Sequence, residues 1–71
     1  MEELKKEQKI EILQNEITLQ LSNRYVMTIR ARVATQMKNQ ANLDVCQKAM
    51  EDVERALDIL NAEMEDLKKA E

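Results

Sequence analysis

Few side chains in this chain can do chemistry. Cys46 is the one thiol, and no His or basic cluster stands beside it in sequence to hold it as a thiolate. With no His anywhere, the usual zinc sites, the Ser-His-Asp triad and the Cys-His dyad have no nitrogen base to build on. With no Gly, the backbone cradles that hold phosphates in nucleotide-binding loops cannot form. The acids Glu63, Glu65 and Asp66 come close together, but no loop is present that would converge their oxygens on a cation. The remaining chemistry is anion binding. Arg24, Arg30, Arg32 and Lys38 lie in a stretch, 17–43, that contains no acid. Such a patch could take nucleic acid, a nucleotide or an acidic protein. It could equally pair with the acidic residues of the chain's own second half. There is no aromatic interleaving in the stretch beyond Tyr25, which weighs against nucleic acid. The expectation is a protein that is not an enzyme, with no metal and no cofactor.

These residues sit on a 71-residue chain with no Gly, no Pro and 35% charged residues. That composition favours long helices in a single domain, 1–71. The second half states its helix plainly. Leu43, Cys46, Met50, Val53, Leu57, Leu60, Met64 and Leu67 recur at alternating steps of three and four, an a/d heptad seam. Ala49 and Ala56 widen it, and Glu51, Asp52, Glu54, Asp58, Glu65 and Asp66 occupy the other face. Lys68 and Lys69 suit the last turn of a helix, and Glu51 with Arg55 can pair one turn apart. The polar stretch 38–42 predicts a turn, with Asn42 as N-cap and Asp44 in the first turn. The predicted fold is all-α: an antiparallel helical hairpin, helix 3–37 followed by helix 43–69, associating through coiled-coil-like packing. One unbroken helix through 38–42 is the alternative.

The first half is less regular. Apolar residues recur every four positions from Leu13 through Ile17, Leu21, Tyr25, Ile29, Val33 and Met37. Steps of four drift around a helix, so this ladder is not one seam. It resolves into two stripes. Ile10, Leu13, Ile17 and Leu21, with Tyr25 at their margin, form one, and Ile12, Leu19, Val26, Ile29, Val33 and Met37 form the other. Only one of them can pack on the second helix. The other is left for a partner, and Ile10, Leu13, Ile17, Leu21 and Tyr25 are the candidate partner-binding face. A competing pattern is a β-hairpin over 17–33, turning at Ser22-Asn23, because Ile, Val, Thr and Tyr alternate there with polar residues. Met27, Met37, Met50 and Met64 fit a core, or a surface that adapts to a partner helix.

No apolar run approaches the ~20 residues of a membrane span. Met1 is followed by a charged stretch, not a leader pattern. With the single thiol, this predicts a cytoplasmic protein. A two-helix hairpin of this size buries one seam, so association with itself or with another protein is the physical expectation.

The stretch from Asn39-Gln40-Ala41-Asn42-Leu43 through Ala49-Met50-Glu51-Asp52-Val53-Glu54-Arg55-Ala56-Leu57-Asp58-Ile59-Leu60 resembles the small helical-hairpin co-chaperones of type III secretion needle subunits. The resemblance implies a cytoplasmic co-chaperone. Its partners would be a helical-repeat chaperone and a small helical secreted subunit kept soluble before export. Two other classes remain open: a homo-oligomeric coiled coil serving structure or viral assembly, and a phage-type inhibitor or nucleotide sponge working through Arg24, Arg30, Arg32 and Lys38.

Overall fold

The computed structural model describes residues 3–69, so positions 1, 2, 70 and 71 of the predicted domain lie outside the described residues. Helix α1 runs Lys6–Gln36 and helix α2 runs Gln40–Lys69. They pack against each other as an all-α hairpin. Residues 17–33 are helical throughout, which overturns the β-hairpin alternative. Ser22-Asn23 offers no glycine for the tight turn such a hairpin needs, and two isolated strands would be marginal in water.

The reversal is tighter than the sequence suggested, and it rules out one continuous helix. The Lys38 N–H donates to the Thr35 carbonyl at 3.1 Å and the Asn39 N–H to the Ala34 carbonyl at 2.8 Å. These two bonds form the Schellman arrangement, which places the residue after the C-cap in the left-handed region. That residue is Lys38, with φ of 55°. The Asn39 side-chain oxygen then accepts from the Asn42 N–H at 3.2 Å. Asn39, not Asn42, is therefore the cap of α2, and the helix begins three residues earlier than predicted. Gln40 Nε2 donates to Asp44 Oδ1 at 2.8 Å within the first turn. Because a side chain in the left-handed region costs about 1 kcal/mol, Lys38→Gly is expected to stabilise the fold by up to ~1 kcal/mol, raising Tm by about 4–8 °C. A thermal melt checks this; an unchanged or lower Tm would mean that the lysine itself stabilises the turn.

The α2 seam faces α1 as its spacing requires. Cys46, Val53, Leu57 and Met64 are buried, and Leu43, Met50, Leu60 and Leu67 are half-buried between them. The matching row on α1 is Ile10, Leu13, Ile17, Gln20, Arg24, Met27, Ala31 and Ala34, also at steps of three and four. All but Arg24 are half-buried or buried. Three contacts along the hairpin fix the register: Lys6 Nζ to the Lys68 carbonyl at 3.4 Å, Arg24 Nη1 to Glu54 Oε1 at 2.8 Å, and Thr28 Oγ1 to Met50 Sδ at 3.8 Å. This register sets Ile10 level with Leu67 at the open end and Ala34 level with Leu43 at the turn.

The result is a rod of 52 × 18 × 16 Å with a radius of gyration of 16.3 Å, against about 11 Å for a compact domain of this length. Its core is thin: no described side chain is fully buried. The rod exposes 5938 Å², where a compact protein of this mass would expose about 4,600 Å².

Candidate functional site

Packing against α2 decides which α1 stripe is left outside. Ile10, Leu13 and Ile17 turn inward and belong to the seam, while Leu21 and Tyr25 stay on the surface. The structure thus divides the face expected to meet a partner. The inward row continues through Gln20, not Leu21, because steps of three and four follow the helix while steps of four wind off it.

The second stripe is the one that remains on the surface. Ile12, Leu19, Val26 and Val33 are spaced by seven and are 48%, 52%, 39% and 51% exposed. A step of seven drifts by only ~20° around a helix, so the four side chains form a nearly straight ridge along α1. Glu16, Asn23, Arg30 and Met37 run beside it at steps of three and four. Ile29, also exposed, stands on the ridge's outer flank. This is a second heptad row on one helix, and it points away from α2. Asn15 and Glu16, then Ser22 and Asn23, punctuate the row, and it closes up where Val26, Ile29 and Val33 follow at steps of three and four. Exposed apolar patches mark interaction surfaces.

The ridge runs into a groove beside the turn. A cavity of about 390 Å³ opens there between Met27, Arg30, Val33, Ala34 and Met37 of α1 and its neighbour and Asn42, Val45 and Cys46 of α2. Val45 is exposed, as is Ile59 two heptads further along α2. Near the open end, Leu4, Lys9, Ile12 and Leu13 meet Glu63 and Leu67 around a smaller depression. The same side of the hairpin therefore carries a depression at each end, with aliphatic side chains beside Arg30, Asn39 and Asn42 at the turn and beside Lys9 and Glu63 at the open end. On the other side near the turn, Thr28, Ala31, Arg32, Thr35 and Gln36 surround Met50.

The basic set does not gather. At 100° per residue Arg30 and Arg32 stand about 160° apart on α1. Each lines a different side of the hairpin, and Lys38 sits in the turn. Arg24 crosses to Glu54 at 2.8 Å, so this member of the basic segment pairs with the acidic helix inside the chain. Both partners are about half exposed, which makes it a pair of order 0.2–1 kcal/mol. Among the described residues no group of acids, Cys or His is placed to hold a metal ion. Cys46 is a free thiol, 6% exposed, packed in the seam. No described helix is long and apolar enough to cross a membrane.

Gln20, Ala31 and Ala34 were not singled out from the sequence, and Arg24 was noted only for its charge. Their signal was spacing: they complete the heptad that Ile10, Leu13 and Ile17 begin. No family model, curated protein or solved structure matches the chain.

Proposed function

We propose that this protein is a non-enzymatic interaction module that works by presenting the outward α1 ridge to another protein. The observation that supports it is the row Ile12, Leu19, Val26 and Val33, four large aliphatic side chains in line, each at least 39% exposed. Covering them removes apolar surface from water at roughly 25 cal/mol per Å². A helix is the natural occupant, because the ridge and the residues beside it repeat with heptad spacing.

In its most concrete form the module is a small cytoplasmic co-chaperone that holds a helical secretion subunit, or the helical-repeat chaperone of that subunit, through this ridge. What supports that form is the resemblance over residues 39–60 together with an apolar face suited to a helical client. A homo-oligomeric structural coil is a second reading, favoured by the surplus surface of the rod. An anion-binding sponge gains no support, since the arginines are spread around the hairpin.

The test is affinity purification of the tagged chain from its source cells, with mass spectrometry of what co-elutes. Leu19→Asp and Val26→Asp are expected to lose the complex while far-ultraviolet circular dichroism keeps its helical signal, because both side chains are exposed and lie outside the seam row. Ile17→Asp, in the seam, is expected to lose helicity as well. Retention of the complex by both ridge variants would overturn the assignment.

A further inference from the structure

We propose that the occupant of the ridge is a second copy of this chain, laid with its α1 antiparallel to the first about a two-fold axis midway between Leu19 and Val26. This rests on the ridge being the working surface, and it favours the self-pairing coil over the co-chaperone, because one ridge does not hold a second copy and a client at once.

The first argument is charge symmetry. A two-fold contact requires that whatever lies at a given distance on one side of the axis complement what lies at that distance on the other. Glu16 and Arg30 flank the ridge on opposite sides of its midpoint, and their distances from it differ by one residue, about 1.5 Å along the helix. Antiparallel docking therefore sets Glu16 of each copy level with Arg30 of the other, twice per dimer. The apolar residues are arranged the same way: Leu19 meets Val26 and Ile12 meets Val33. Parallel docking of the same ridges would set Glu16 on Glu16 and Arg30 on Arg30.

The second argument is area. The rod exposes 5938 Å², about 1,300 Å² beyond a compact protein of this mass. A standard interface covers about 800 Å² per partner, so one such contact falls well within the surplus. Charge also selects α1 as the contacting helix. On α2, Asp52, Arg55, Glu63 and Asp66 surround the exposed Ile59. Three acids against one base leave that face at −2, so two copies of it carry like net charge, whereas Glu16 and Arg30 leave the ridge flank neutral.

The test is sedimentation equilibrium of the intact chain and two charge variants, Glu16→Arg and Arg30→Glu. Wild type is expected at twice its 8.3 kDa chain mass. Each variant alone replaces both attractive pairs by repulsive ones and is expected to dimerise at least about tenfold more weakly. Mixed in equal amounts, the two variants are complementary at both positions and should recover the dimer. Circular dichroism of each variant confirms that the hairpin is folded. A monomer at concentrations up to about 100 µM, where even a weak specific dimer is populated, would overturn the proposal. So would a dimer indifferent to both variants, or one that mixing does not restore. If the chain is monomeric but loses a captured protein on Leu19→Asp, self-pairing fails and the interaction-module reading stands. If neither self-pairing nor capture depends on Leu19, both fail.

Discussion

Leu57→Ala is expected to cost about 2–5 kcal/mol, the range for truncating a buried leucine in a core that cannot fully collapse. Leu57 is 6% exposed and lies in the middle of the α2 seam. A domain of this length has a total stability of only about 4–10 kcal/mol. The seam here is also thin, so one truncation removes a large share of what holds the helices together. Urea unfolding followed at 222 nm would show a lower midpoint or an already frayed chain. The measurement must be made at one protein concentration, because any association adds to apparent stability. The internal control is Ile59→Ala, two residues on, where the side chain is 69% exposed. It is expected to change stability by no more than ~0.5 kcal/mol. Equal losses at the two positions would mean that α2 does not present Leu57 to α1.

The contrast between these neighbours shows what the sequence made legible. On α2 every seam position from Leu43 to Leu67 is apolar and the charges fall on the other face, so spacing alone shows which way each side chain points. On α1 the same spacing exists but carries a weaker signal. Two of its eight positions are Gln20 and Arg24, and two more are the small Ala31 and Ala34. The larger aliphatics Leu19, Val26, Ile29 and Val33 lie outside it. Apolar weight is then spread around α1, and a search for the greasiest ladder follows steps of four away from the true seam. The inward roles of Ile10, Leu13 and Ile17 were visible only once α2 had a place. At the turn, Asn39 and Asn42 are equally good caps by residue type. What selects Asn39 is the left-handed backbone at Lys38, and a lysine there gives none of the notice that a glycine would. Surface function was legible only as a leftover: two stripes, one partner helix, and so one stripe outside.

The polar break in the α1 seam leads to the last expected result. The register sets Gln20 level with Leu57 and Arg24 level with Val53, both of them buried positions of α2. Gln20 is half-buried there. Arg24, at the next seam position, is exposed and pairs its guanidinium with Glu54. Replacing both, Gln20→Leu with Arg24→Leu, is expected to stabilise the hairpin by about 1–3 kcal/mol. Each leucine gains part of the ~1.5–3 kcal/mol of full burial, while the exposed ion pair given up is worth at most ~1 kcal/mol. The rise in Tm should be roughly 5–15 °C. A second effect is expected to accompany it. Polar residues at seam positions fix register and oligomer state at a cost in stability, and Arg24 with Glu54 ties the helices at one height. With leucine at both positions the seam reads alike along most of its length, so slipped or opened-out pairings between copies become competitive. Sedimentation velocity of the double variant should then show several species where wild type shows one. If the double variant is more stable and still sediments as a single species of the wild-type mass, the apolar spacing alone sets the register, and Gln20 and Arg24 only weaken it.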